Sequence, residues 1–185
     1  MGNERESAIV VELPELDAVI DEHRVTLDPS RRWGMRAHLT VLYPFVCPVN
    51  VNGDTLVRVR EAVAGVLPFA AEFGGFGWFA DHVAWLKPSD PQPFTNLIER
   101  VSSAFPECPP YGGAFDGVVP HVTIGEGKPV GLLRVAMEAI HPHLPLAANV
   151  TSLSLMEGST EPGSWRVLHR IDLGGSTGEP GGFLS

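Results

Sequence analysis

The sequence predicts an α+β protein built from two similar lobes, each a small sheet backed by helices. Segments with the hydrophobic periods of strands and helices alternate in the order strand, helix, strand, helix, strand, strand, helix, strand, helix, strand, strand. The four-residue pattern His-apolar-Thr-apolar also occurs twice, at 38–41 and at 121–124. Each copy falls on a predicted strand that is followed by a helix and then by two strands. This order indicates an internal duplication, with the two marked strands facing each other.

The first half of the chain is predicted to contain four strands and two helices. A β-branched run that ends at a proline indicates the first strand, and Pro14 suits the start of the helix that follows. Segment 27–35 is expected to be a loop because of its Pro, Ser and Gly content, and Asp54 can cap the next helix. The predicted strands span 7–13, 37–43, 68–80 and 82–88, and the predicted helices span 14–27 and 54–67.

The second half repeats the alternation and ends in a glycine-rich tail. The predicted helices span 93–105 and 130–144, the predicted strands span 120–126, 149–157 and 164–173, and a long loop covers 108–119. We expect residues 1–173 to form a single bilobal domain. The composition of 174–185 is typical of a flexible tail.

Composition and charge exclude several classes of protein. A hydrophobic fraction of 44% over 185 residues is enough for a buried core, and 19% charged residues argue against disorder. The net charge is −9 with only two lysines, whereas proteins that track a long phosphate backbone collect Lys and Arg on one face. We therefore expect no extended nucleic-acid track, although a small phosphate ligand in a local pocket remains compatible with the charge.

Cysteine usage and the first residues indicate a reduced, intracellular protein. Cys47 and Cys108 form no CxxC motif and no disulfide framework. The first apolar run is about five residues long, too short for a signal sequence or a membrane span. We expect a soluble cytoplasmic protein with no membrane partner, and the sequence leaves its oligomeric state open.

The repeated pattern sets an imidazole beside a hydroxyl on each predicted strand. Side chains alternate between the faces of a strand, so His38 and Thr40 share one face while their apolar neighbours enter the core. The same holds for His121 and Thr123. One imidazole can accept a proton from an attacking hydroxyl or water while the other protonates a leaving oxygen. The threonines can donate hydrogen bonds to phosphate oxygens. This scheme needs no metal and no cofactor.

The two motifs, HLTV at 38–41 and HVTI at 121–124, resemble those of the 2H phosphoesterase superfamily, in particular its bacterial 2′-5′ RNA ligase-like proteins, or cyclic phosphodiesterases. The resemblance implies a bilobal, pseudo-symmetric duplication in which two small antiparallel sheets backed by helices surround a central cleft. It also implies a metal-independent phosphodiesterase for 2′,3′-cyclic phosphates or 2′-5′ phosphodiester linkages, with RNA ligation as the reverse reaction. The substrate would be a small phosphodiester or an RNA terminus.

The resemblance also implies roles for individual residues. His38 and His121 take the place of the family's general acid–base pair, and Thr40 and Thr123 take the place of its phosphate-oxygen ligands. Tyr43 stands where many relatives have an aromatic residue that lines the pocket.

One position departs from the family pattern. Several relatives carry a basic residue shortly after the second motif, where this chain has Glu126. The grip on the phosphate must then come from elsewhere, with Lys128 or the arginines of the loop as candidates. The arginines in question are Arg31, Arg32 and Arg36.

The tryptophans offer candidate surfaces for stacking on a base. Trp85, on a predicted strand, is the best candidate for a cleft wall and is expected to bind substrate. Core or rim packing is the alternative for Trp85 and for the other three, which are Trp33, Trp78 and Trp165.

Two other hypotheses compete with a phosphodiesterase. The same cleft could recognise a cyclic nucleotide or a phosphorylated RNA end without turnover, which the low basic content and Glu126 favour. A zinc-type hydrolase would use some of the seven histidines, but the sequence contains no HExxH motif.

Overall fold

The computed structural model describes residues 4–114 and 117–174, in which the chain forms eight strands and five α-helices. No helix in these ranges is long and apolar enough to cross a membrane. The tail predicted over 174–185 lies outside the described residues except for Gly174. The strands are β1 (Glu6–Glu12), β2 (His38–Leu42), β3 (Phe69–Phe79), β4 (Val83–Pro88), β5 (Val122–Glu126), β6 (Leu146–Val150), β7 (Ser152–Gly158) and β8 (Arg166–Asp172). The helices are α1 (Pro14–Leu27), α2 (Pro29–Arg32), α3 (Gly53–Ala62), α4 (Gln92–Ala104) and α5 (Val130–Ile140).

The strands form two four-stranded antiparallel sheets, which confirms the predicted α+β fold class. One sheet has the order β2-β1-β7-β8 and the other has the order β5-β4-β3-β6. The two strands that carry the repeated motif, β2 and β5, are therefore both edge strands. They lie against each other where the two sheets meet.

Two helices hold these edge strands together by packing across the junction. Helix α1 connects β1 to β2 but packs against β5, and α4 connects β4 to β5 but packs against β2. Leu16 and Ile20 of α1 and Phe94 and Leu97 of α4 are fully buried in the shared core. Burial of each such side chain stabilises the fold by ~1.5–3 kcal/mol. One core thus couples the positions of both motif strands.

The repeat in chain order does not correspond to the two sheets, and this part of the prediction was wrong. Strands β3 and β4 follow the first motif but belong to the sheet of the second, while β7 and β8 follow the second motif but belong to the sheet of the first. The unit repeated in space is strand, helix, strand, with β1 paired to β2 and β4 paired to β5. Strands β7 and β8, from the end of the chain, extend the first unit, and β3 and β6 extend the second.

Two local predictions in the first half were also wrong, because side-chain caps set the helix boundaries. The predicted loop over 27–35 contains α2, whose first turn is capped by Asp28 through a hydrogen bond from the Ser30 backbone N–H (2.9 Å). Helix α3 is capped by Asn52 rather than Asp54, in a capping box with Thr55, and it ends at Ala62.

Two predictions in the second half of the chain also differ from the structure. The helix predicted over 130–144 ends at Ile140, because Pro142 cannot continue it and a short 3₁₀ helix follows. The strand predicted over 149–157 is instead two strands, β6 and β7, separated by Thr151. The two strands belong to different sheets, so the chain crosses between the lobes at this residue.

Candidate active site

The histidines and threonines of the two motifs lie where β2 and β5 meet. His38 begins β2 and His121 immediately precedes β5. Both histidines, together with Thr40 and Thr123, are half-buried. We call this group of four residues the two-histidine site.

Alternation along each strand buries the remaining motif residues. Leu39, Val122 and Ile124 have no exposed surface, and Val41 is almost as deeply buried. The prediction that the apolar positions anchor the motif strands from behind is confirmed. The polar side chains therefore project from a backbone that core packing holds in place.

Each histidine is oriented by the same backbone hydrogen bond. Nδ1 of His38 lies 2.8 Å from the carbonyl oxygen of Arg36, and Nδ1 of His121 lies 2.7 Å from that of Val119. A carbonyl oxygen can only accept, so Nδ1 carries the hydrogen in both rings. In the neutral imidazole, Nε2 is then an unprotonated acceptor. Both motifs thus present the same tautomer, fixed by the residue two positions upstream.

Both imidazoles favour the neutral form. Burial lowers the pKa of His38 from 6.5 to about 4, with a further decrease from the Arg24 guanidinium and a smaller one from His121. Burial also lowers the pKa of His121 from its ordinary value.

Aromatic side chains surround His121. The Phe79 ring meets it edge-on at 4.8 Å between centroids, and the Trp85 ring is 5.9 Å away. Phe79 and Trp85 also stack on each other at 5.0 Å. Trp85 is 7% exposed, so it packs against the second histidine and offers no free face to a base. The indole lies across Gly77, where a Cβ would be 2.2 Å from the ring.

Tyr43 lies just after the end of β2. Its hydroxyl donates to Glu6 Oε2 at 2.6 Å, and its ring packs against Trp165 with centroids 6.5 Å apart. Burial, and then the Glu6 carboxylate, raise the pKa of the Tyr43 phenol. Trp165 lies across Gly158 as Trp85 lies across Gly77, so each sheet carries one indole over a glycine.

Sequence reasoning missed Tyr111, which lies in the predicted loop over 108–119. Its phenol forms a hydrogen bond with Thr40, and its backbone N–H donates to the Tyr43 carbonyl at 2.6 Å. Burial and the nearby Glu126 carboxylate raise the pKa of this phenol. Tyr111 belongs to the segment PYGG (110–113), which is typical of a turn, and no local pattern indicated that the loop reaches across to β2.

The charged residues around the site do not form a metal centre. Within residues 4–114 and 117–174, no group of three or more His, Cys, Asp or Glu side chains could hold a metal ion. Glu126 is exposed at the end of β5, opposite Val83 of β4.

Comparison with known proteins gives both a family and a fold. The family model of the 2′-5′ RNA ligase superfamily matches residues 13–161. Among curated proteins, the sequence has no significant match.

The solved structures similar to this chain cover nearly its full length. The crystal structure of TT0787 from Thermus thermophilus is 21% identical with a TM-score of 0.64, over 91% of this chain and 97% of that one. Escherichia coli LigT complexed with 3′-AMP is 18% identical with a TM-score of 0.57, over 94% of this chain and 100% of that one. LigT complexed with ATP is 19% identical with a TM-score of 0.58, over 93% and 99%. At these identities the likeness establishes the fold.

The titration of the two rings tests the geometry directly. By NMR, we expect His38 to titrate near pH 4 and His121 below 6.5, since burial disfavours both imidazolium forms. The ¹⁵N shifts at neutral pH should show hydrogen on Nδ1 in both rings. The same protein in denaturant serves as the control, with histidine pKa values near 6.5. Hydrogen on Nε2, or ordinary pKa values in the folded state, would contradict the arrangement.

Proposed function

Because this chain belongs to the 2′-5′ RNA ligase superfamily, and because each of its two adjoining motif strands carries an imidazole with the same hydrogen-bonded Nδ1, we propose that it is a metal-independent phosphodiesterase. Its substrates are 2′,3′-cyclic phosphates or 2′-5′ phosphodiester linkages, and the reverse reaction joins RNA ends. The observation that carries this proposal is the shared Nδ1–carbonyl hydrogen bond, which leaves both Nε2 atoms available for proton transfer.

The two rings divide the proton transfers of phosphodiester cleavage. One neutral imidazole takes a proton from the attacking water or hydroxyl as the new P–O bond forms. The other, as imidazolium, gives its proton to the departing oxygen as the old P–O bond breaks. Each cleavage therefore moves the site's single proton from one ring to the other, and proton exchange with solvent resets the two rings before the next turnover. Each transfer typically contributes ~10²–10⁴ in rate.

The threonines and the aromatic residues support these transfers. Thr40 and Thr123 each follow a histidine by two residues on the same face, so their hydroxyls donate to the oxygens that carry charge in the transition state. Phe79 and Trp85 hold the His121 ring by packing on it. Tyr43 lines the pocket on the β2 side.

The ligands of similar proteins support a substrate of the size of a nucleotide. LigT structures with 3′-AMP, ATP and NADP⁺ have the same fold as this chain. With a net charge of −9, this protein is poorly suited to bind a long polyanion. We therefore assign it a nucleotide or a short RNA end.

Removal of either imidazole tests the catalytic roles. Turnover of the four nucleoside 2′,3′-cyclic phosphates in EDTA is expected to fall at least ~10²-fold in His38→Ala and in His121→Ala, because each variant loses one proton transfer. The measurement is the initial rate of product formation, with the phosphate isomer identified by chromatography.

His169→Ala is the matched control, because His169 is an exposed histidine on β8, outside the site. This variant should keep the wild-type rate. Retained turnover in both motif variants would refute the roles of the two histidines. Tight binding of the cyclic nucleotides by the wild type with no product would identify a binding module instead.

The pH dependence of kcat/KM tests whether catalysis needs one proton shared by the two rings. Catalysis needs one ring neutral and one protonated, and the fraction of free enzyme in that state falls as pH rises above the higher pKa. Because both pKa values lie below 6.5, we expect kcat/KM to decline from pH 6.5 to 8. A bound phosphate anion favours the imidazolium form and so raises the pKa values of the rings in the enzyme–substrate complex. The decline of kcat should therefore occur at higher pH than the decline of kcat/KM. A kcat/KM that rises across this range would contradict the scheme.

A further inference from the structure

A cavity of about 280 Å³ lies between the end of α1, α2 and the turn after β5. Two of its lining side chains are cationic, Arg32 and Lys128, and a third is the indole of Trp33. Two other cavities are also lined by two arginines each, but each of those is lined by two glutamates as well.

The two cations are available to a ligand, unlike their neighbours. Arg31 forms an ion pair with Asp21 (2.5 Å), and Arg36 pairs with Asp17 (2.8 Å). Within the part of the chain that the structure describes, Arg32 and Lys128 form no ion pair and no side-chain hydrogen bond. Both are exposed. Of the three loop arginines, it is Arg32 whose charge is left for binding.

The carboxylate that lines this cavity is already neutralised. Asp28 is 4% exposed and pairs with Arg24 at 2.9 Å, while it also accepts from the Ser30 hydroxyl. Arg24 is itself 1% exposed, and its Nη1 has no hydrogen-bond partner among the described residues. The opposite charges of Arg24 and Asp28 therefore cancel. The net charge around the cavity is set by the two exposed cations.

Backbone hydrogen bonds hold the walls of the cavity in place. The carbonyl oxygens of Arg32 and Trp33 accept from the N–H groups of Gly163 (3.0 Å) and Trp165 (2.9 Å). On the opposite wall, the N–H of Gly127, next to Lys128, donates to the His82 carbonyl at 3.0 Å. A preorganised backbone reduces the entropy lost when a ligand binds.

The cavity adjoins the two-histidine site. Val10 of β1 pairs with Thr40 of β2, so the two side chains lie on the same face of the sheet. Val10 belongs to a small apolar cluster against which Trp33 and Tyr43 pack. Trp33, which lines the cavity, therefore connects it to the face of β2 that carries Thr40 and His38.

We propose that this cavity binds a second phosphate group of the substrate, held by Arg32 and Lys128, with Trp33 against the adjoining sugar or base. The inference rests on the proposed function, because it assigns the phosphate that is not being cleaved. The substrate class is then a nucleotide or RNA end with two phosphates, one at each end of a nucleoside.

The test compares the binding of adenosine 3′,5′-bisphosphate and adenosine 3′-monophosphate by calorimetry. The wild type should bind the bisphosphate at least ~10-fold more tightly, as expected for hydrogen bonds to a charged group. Arg32→Ala and Lys128→Ala should each reduce that preference, and the double variant should abolish it. Both residues are exposed, so the variants are expected to fold.

Arg31→Ala is the matched control, since it removes the same charge from the same helix but at a residue paired with Asp21. It should leave the preference for the bisphosphate unchanged. Equal binding of the two nucleotides by the wild type, no binding of either, or an equal loss in Arg31→Ala and Arg32→Ala would overturn the inference. Turnover of a cyclic nucleotide measured in parallel separates the two proposals: turnover without the preference overturns only this one, and the preference without turnover overturns only the proposed function.

Discussion

The hydrogen bond from each histidine Nδ1 to the carbonyl two residues upstream is the interaction on which the site depends. It involves backbone atoms of Arg36 and Val119, so it is insensitive to the side chains at those positions. The bond fixes the tautomer of His38 and of His121, and it points both Nε2 atoms away from the main chain. A side-chain acceptor could rotate, whereas these carbonyls belong to backbone that leads directly into strands anchored in the core.

The fold fixes the position of one histidine arrangement relative to the other. Each motif strand is an edge strand covered by the helix of the other unit, with α1 on β5 and α4 on β2. A shift of one sheet relative to the other would disturb both helices and the common core, in which packing is dense. The two indoles that lie across glycines, one on each sheet, bring bulky rings close to the strands that flank the site.

Much of this architecture could be predicted from residue patterns. The period of two at 38–41 and 121–124 correctly assigned which side chains enter the core, because alternation on a strand is a local property. The partition of strands between sheets, the contact of Tyr111 with Thr40 and the caps at Asp28 and Asn52 could not be predicted. They depend on long-range pairing or on competition between nearby polar groups. Trp85 was placed near the site, but its burial against His121 depends on Gly77 of another strand.

We propose that both Nε2 atoms converge on one phosphorus. The decisive measurement is a crystal structure with uridine vanadate, which imitates the five-coordinate transition state. We expect Nε2 of His38 and Nε2 of His121 to lie about 2.6–3.2 Å from two different oxygens on the same vanadium. Both Nδ1 atoms should still donate hydrogen bonds to their backbone carbonyl oxygens. Contact with only one ring, or a rotated ring that presents Nδ1, would contradict the account.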